Sequence, residues 1–271
     1  MSSADAASRR FVVSPADGTA IAMDRAGAGP ALLLVHGSGA GRQRWRPILP
    51  HLHGKVTLYT MDRRGHGQSG DAARYDITFE YDDIAACVAA IDESAVTVVA
   101  HSFGGLCALG AAARSPKIRR LALYEPPIPA EPNAYFRPDL IPSMRAALSR
   151  GDADAALTAF VTQVHGAGPE DIGRMRQLSV WAAQTAMVPI ILRELEAVGS
   201  FQLDATPPAV PVLLLLGGES PTRYRSTMDH LLARLPDATL QILPGQGHGA
   251  IDAAPEQVAR AVLNFLPAPA D

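Results

Sequence analysis

Short apolar runs alternate with stretches of helical spacing along most of this chain. Ala31 to Val35, Val56 to Met61, Val96 to Ala100, Leu121 to Tyr124, Val212 to Leu216 and Thr239 to Leu243 are apolar at most positions. Strands buried on both faces have this character. Phe11 to Val13 and Ala20 to Met23 flank the turn sequence Ala16-Asp17-Gly18 and read as an antiparallel hairpin. Helices are predicted between the strands over 45–52, 79–93, 103–114, 223–235 and 255–265. The last opens on Pro255, where a missing N–H costs nothing. Strands and helices in alternation predict an α/β protein, with a mostly parallel central sheet flanked by helices on both faces.

One region breaks the alternation. From Pro126 to about Pro211 helical spacing dominates, over 154–164, 173–187 and 190–198, and proline clusters bracket it at Pro126-Pro127-Ile128-Pro129 and Pro207-Pro208-Ala209-Val210-Pro211. The pattern predicts a helical cap over 127–207, inserted into a core made of 1–126 and 208–271. The apolar residues of the insertion, Phe136, Met144, Phe160, Trp181, Met187, Ile190, Ile191 and Phe201 among them, must be buried. Most are expected to pack the cap on the core, and a few to face a cavity.

Composition narrows the partners. The 271 residues are 48% hydrophobic and 19% charged, with a formal net charge of −3. That is an ordinary globular balance, with no basic footprint for nucleic acid and no polybasic patch for a membrane surface. A small-molecule substrate, small or uncharged, is the expected partner, and nothing in the pattern sets an oligomeric state. No run of about eighteen apolar residues is present, so no membrane span is expected. The polar stretch Met1 to Arg10 does not resemble a signal peptide, and a cytoplasmic location is expected. Cys87 and Cys107 lack metal-ligand spacing and are expected as reduced, buried thiols.

The chemistry gathers at the ends of the apolar runs. Ser102 lies in Ala100-His101-Ser102-Phe103-Gly104-Gly105, directly after one predicted strand and before a predicted helix. A strand that turns at once into a helix crowds its own backbone, so small residues must sit two positions to either side, and the turning residue projects its side chain into the open. Ser102 is thus a candidate nucleophile. The Phe103 N–H, at the start of the helix, is an orphan donor placed to stabilise an oxyanion. The loop His36-Gly37-Ser38-Gly39-Ala40-Gly41 matches neither a phosphate loop nor a dinucleotide fingerprint. It fits an oxyanion loop, with the Ser38 N–H as the second donor and Gly39 as the alternative. His248, in Gly245-Gln246-Gly247-His248-Gly249 after the last strand, is the candidate general base. His101 is expected to give structural support, His36 and His66 to brace turns, and His51, His53, His165 and His230 to lie at surface or cap positions. No metal cluster or cofactor motif is visible.

These motifs, in this order, resemble the α/β-hydrolase superfamily over nearly the whole chain: His36-Gly37, Asp62-Arg63-Arg64-Gly65-His66-Gly67-Gln68-Ser69, His101-Ser102-Phe103-Gly104-Gly105 and Gly247-His248. The resemblance implies the order Ser…acid…His and gives the stretch from Asp62 to Ser69 a structural task only. It also exposes a departure. The family's usual acid position follows the strand after the cap, and here that segment reads Gly217-Gly218-Glu219-Ser220, with Ser220 in the aspartate's place. Two carboxylates could substitute. Glu125 ends the strand after the nucleophile, as the acid does in one subgroup of haloalkane dehalogenases. Glu219 lies one residue from the usual place. Glu125 is favoured, Glu219 is the alternative, and a site without an acid is the third case.

Dehalogenases and epoxide hydrolases of this fold resemblance use Asp where Ser102 stands, which disfavours both. The expectation is a serine hydrolase that cleaves an ester, lactone or thioester of a small apolar substrate. C–C bond hydrolysis, perhydrolysis or a lyase or cyclisation step is the alternative chemistry. A non-catalytic small-molecule receptor is the remaining reading.

Overall fold

Successive side chains of a strand point to opposite faces, and the apolar runs use this to build two cores at once. Within Ala31–Val35 (β3), Leu33 and Val35 join one buried cluster while Leu32 and Leu34 join another. The other strands are Arg9–Val13 (β1), Ile21–Gly27 (β2), Thr57–Met61 (β4), Val96–His101 (β5), Ile118–Tyr124 (β6), Val212–Gly217 (β7) and Ala238–Leu243 (β8). In the computed structural model, which describes residues 9–131, 135–203 and 208–267, they form one eight-stranded sheet in the order β1-β2-β4-β3-β5-β6-β7-β8. β1 and β2 pair antiparallel with Phe11 opposite Met23, as the hairpin reading expects, and β2 runs on antiparallel to β4. The remaining neighbours are parallel.

Helices cover both faces. Ile77–Ala89 (α2), Phe103–Ala112 (α3) and Thr222–Arg234 (α9) supply one cluster. Leu49–Leu52 (α1), Ala250–Ala253 (α10) and Pro255–Phe265 (α11) supply the other. Cys87 and Cys107 are free and buried in α2 and α3, and burial pushes both thiols well above their usual range.

Between β6 and β7 lie Leu140–Ser149 (α4), Ala153–Phe160 (α5), Pro169–Met175 (α6), Ser179–Ala186 (α7) and Val188–Ser200 (α8). They enclose their own cluster, including Met144, Phe160, Trp181 and Ile191. Ion pairs tie α8 to the core, among them the buried pair Arg63 to Glu194 at 2.6 Å and the exposed pair Arg193 to Asp71 at 2.8 Å. The expected cap boundary at 207, the residues 1–8 of the polar N-terminal stretch and the residues 268–271 lie outside the described residues.

Several helices differ from the sequence expectation. The single helix over 45–52 is a 3₁₀ turn, Arg42–Trp45, followed by α1. Pro47 has no N–H to extend the first, and Pro50 sits in the first turn of the second, where proline is tolerated. The stretch over 173–187 divides into α6 and α7 at an extended Leu178. The stretch over 154–164 ends as a π-helical turn, Val161–His165, closed by Gly166 at φ 77°. α4 falls where the sequence reading named no helix. α2 begins earlier than expected because the Asp76 carboxylate accepts from the Thr78 N–H, which caps its first turn.

Candidate active site

Ser102 stands between β5 and α3 at φ 53°, ψ −128°. Among the described residues only Ser102 and Glu125 are non-glycine residues with positive φ, Glu125 at 47°. Such conformations cost about 1–3 kcal/mol each and persist only where the surroundings over-determine them. Here the surroundings do so. The Ser102 N–H donates to Tyr124 O at 2.8 Å, its carbonyl accepts from the Gly105 N–H at 2.7 Å, and the Glu125 N–H donates to Leu215 O at 3.1 Å.

The crowding expected around this turn is present. A Cβ on Gly104 would lie 2.4 Å from His36 O and 2.8 Å from Val35 O, so α3 can sit against the end of β3 only with glycine there. A Cβ on Gly37 would meet the Ser102 Cβ at 2.9 Å. The loop after β3 therefore lies directly beside the serine.

The structure brings Glu125 to His248. The Glu125 Oε2 lies 2.6 Å from His248 Nδ1, and its Oε1 accepts from the Gly217 N–H at 2.8 Å. The Glu125 side chain is fully buried, and that of His248 is 10% exposed. A carboxylate only accepts, so Nδ1 carries the proton and Nε2 is left as the basic nitrogen. Glu219 is exposed. The Ser220 Oγ is buried with no hydrogen-bond partner among the described residues. The position that resembles the family's usual acid site thus holds an idle hydroxyl.

The histidine loop is held by three aromatic groups. His101 Nε2 donates to His248 O at 3.0 Å, so it bears the proton on that nitrogen, and burial keeps the ring well below the usual histidine range. The Tyr124 hydroxyl donates to Gly247 O, and burial, with the Glu125 carboxylate nearby, raises that phenol above its usual range. The Tyr224 ring stacks on the His248 ring at 4.8 Å and 19°. The sequence reading missed both tyrosines. The only available signal was the adjacency of Tyr124 to Glu125.

His36 braces the loop that carries Ser38. Its Nε2 accepts from the Arg63 N–H at 3.0 Å, so Nδ1 is the donor to Gly37 O at 2.8 Å. Arg63, fully buried, donates to His36 O at 2.9 Å and to Gly37 O at 3.2 Å, and pairs with Glu80 at 2.8 Å and Glu194 at 2.6 Å. One guanidinium thereby joins the Ser38 loop, α2 and α8. His66 Nδ1 lies 2.9 Å from Arg64 O, a donor contact within its own turn, and burial lowers this ring to about 4.

Ser38, Ser102 and His248 line one cavity of about 680 Å³. Phe160, Met175 and Val180 of the inserted segment form its apolar wall. Phe103 is buried at the first position of α3, beside Ser102. His165 ends its helical turn and is exposed, as expected of a surface or cap position, and it also lines the cavity, with its ring 5.5 Å from that of His248. The π-helical turn directs it there, and enclosure by protein holds its pKa below the usual histidine range. No group of three or more metal-ligating side chains occurs among the described residues, and no helix among them is long and apolar enough to cross a membrane.

Comparisons agree with this architecture. A model of the alpha/beta hydrolase family matches residues 32–261. The crystal structure of an alpha/beta hydrolase from Sphaerobacter thermophilus superposes with a TM-score of 0.82 at 31% identity, over 94% of this chain and 99% of that one. The chain is 25% identical to the 2-(acetamidomethylene)succinate hydrolase of Mesorhizobium japonicum, over 98% of this chain and 99% of that protein. It is 24% identical to the pimeloyl-[acyl-carrier protein] methyl ester esterase of Aeromonas hydrophila, over 91% of this chain and 99% of that protein.

Proposed function

The chain belongs to the alpha/beta hydrolase family, and on that premise we propose that it is a serine hydrolase cleaving an ester, lactone or thioester, with an apolar group of the substrate held beneath the helical insertion as under a lid. The observation that carries this reading is the 2.6 Å contact between Glu125 Oε2 and His248 Nδ1, made at the cavity that Ser102 also lines. In the proposed reaction His248 Nε2 takes the Ser102 proton as Oγ bonds to the substrate carbonyl carbon. The negative charge that moves to the carbonyl oxygen is met by the N–H groups of Ser38 and Phe103. Collapse expels the alkoxide or thiolate, which takes the proton from His248. Water, activated by the same nitrogen, then cleaves the acyl-enzyme and restores Ser102.

Glu125 keeps the imidazole proton on Nδ1 and stabilises the imidazolium that forms after each proton transfer. The curated relatives support the reaction class: one hydrolyses 2-(acetamidomethylene)succinate and another a methyl ester on an acyl-carrier protein. A fluorophosphonate probe tests the reading. Wild type should be labelled at Ser102 and should turn over p-nitrophenyl esters, and Ser102→Ala should do neither. Equal labelling of the two proteins would refute it.

A further inference from the structure

We propose that the substrate carries an anionic oxygen group, a carboxylate or a phosphate, at the end away from the scissile bond, and that Arg46 selects it. The proposal rests on the serine-hydrolase reading above and adds a substrate class to it.

The 3₁₀ turn Arg42–Trp45 sets up this selection. Side chains three residues apart eclipse one another on such a turn. Arg42 and Trp45 are accordingly both buried inward, while Gln43 and Arg46 share the opposite edge. Both of these residues line the catalytic cavity, and both also line a second cavity of about 550 Å³ against β2 and β4. They therefore form the divide between the two spaces.

Charge accounting along this path leaves Arg46 alone. In the catalytic cavity Arg44 pairs with Asp252. In the second cavity Arg10 pairs with Asp24 at 3.1 Å, and Arg42 pairs with Asp24 at 2.7 Å and with Asp62. Arg25 donates to the Tyr59 hydroxyl at 3.1 Å, which in turn donates to Glu93 at 3.1 Å. Arg46 is exposed, and among the described residues its guanidinium meets no carboxylate and donates no hydrogen bond. A planar guanidinium free of partners offers a paired donor edge to a carboxylate or a phosphate.

Phe160, Met175 and Val180 give the same cavity an apolar lining, so the cavity offers both apolar and cationic surface. An ester with its apolar part against the insertion and its anion toward Arg46 satisfies both ends. The chain's net charge of −3 does not oppose this, because a local unpaired cation acts within about one Debye length, roughly 8 Å at physiological salt.

The test compares three p-nitrophenyl esters of similar length: the valerate (neutral), the glutarate monoester (carboxylate) and the 4-phosphonobutyrate (phosphonate). In wild type, kcat/KM for an anionic ester should exceed that for the valerate, with the gain in KM. An ion pair at an exposed arginine supports a preference of about two- to fivefold. The anionic-to-neutral ratio should fall toward one in Arg46→Ala and invert in Arg46→Glu, and the preference should shrink with added NaCl. The better of the two anionic esters identifies the source of the charge. An unchanged ratio in both variants would overturn the proposal. A separate measurement covers failure of the hydrolase reading itself: calorimetric binding of glutarate and of 4-phosphonobutyrate to Ser102→Ala. Binding of at least one anion should weaken several-fold when Arg46→Ala is added, and equal binding of both, or binding of neither, overturns the inference regardless of catalysis.

Discussion

Replacing Glu125 by Gln isolates the contribution of one buried charge. The amide is isosteric, and its oxygen can still accept the Gly217 N–H now held at 2.8 Å by Oε1. Its NH₂ then faces His248 Nδ1, which lies 2.6 Å from Oε2 in the native protein. An amide donor there requires Nδ1 to be the acceptor, so the imidazole proton moves to Nε2, the nitrogen that should take the proton of Ser102. The equivalent tautomer error in the Ser-His-Asp template lowers kcat about 10⁴-fold, or about 5.5 kcal/mol of transition-state stabilisation. The assay is kcat on a p-nitrophenyl ester across pH, with thermal unfolding run alongside to confirm that the variant is folded. Activity should recover in part at high pH, where base assistance by His248 is less needed. Glu219→Gln, an exposed change, should stay within twofold of wild type. A folded Glu125→Gln protein within tenfold of wild type, or a larger loss in Glu219→Gln, would refute the assignment of Glu125 as the acid.

Other outcomes follow from the same geometry. Gly104→Ala drives a Cβ to 2.4 Å from His36 O, a backbone atom that cannot yield cheaply; stability should fall by about 1–3 kcal/mol in urea denaturation, the range for overpacked sites. Glu194→Leu removes one of the two carboxylates on the buried Arg63 and should cost about 3–5 kcal/mol of unfolding free energy, with activity loss because Arg63 also holds Gly37 O. His36, His66 and His101 are buried with pKa values lowered by burial, His66 to about 4. In the window between the unfolded value near 6.5 and the folded values, the unfolded chain binds more protons, so these histidines cost nothing above about pH 6.5 and destabilise the fold increasingly as pH falls below it. Glu80, raised by burial to about 7, acts in the opposite sense over about pH 4.5 to 7, so the three histidines outweigh it and Tm should drop from pH 7 to pH 5; a flat or rising Tm would contradict this. His165→Phe should change KM or acyl-length preference more than it changes labelling of Ser102 by a phosphonate, since His165 lies on the cavity wall beside Phe160.

The sequence by itself determined the fold class and named Ser38, Ser102 and His248, which line one cavity. Strands buried on both faces are largely apolar, so β3 to β5, β7 and the Leu121 to Tyr124 part of β6 stand out as apolar runs. A serine between such a strand and a helix, with Ala100 and Gly104 around it, is legible because the turn leaves no room for larger side chains: a Cβ on Gly104 would lie 2.4 Å from His36 O. Helix ends were less legible. They depend on local contests, such as Pro47 interrupting the expected helix over 45–52, which a periodicity count does not resolve. The choice between Glu125 and Glu219 was left open by sequence because it turns on which carboxylate meets an imidazole 123 residues away from Glu125. Only the tertiary structure decided that contact. It also placed His165 on the cavity wall, set Tyr124 and Tyr224 against the histidine loop, and left Arg46, among the described residues, without a partner between two cavities. Apolar pattern records how each residue is buried against the chain average. Partnership between side chains distant in sequence is decided only when the sheet order brings strand ends together.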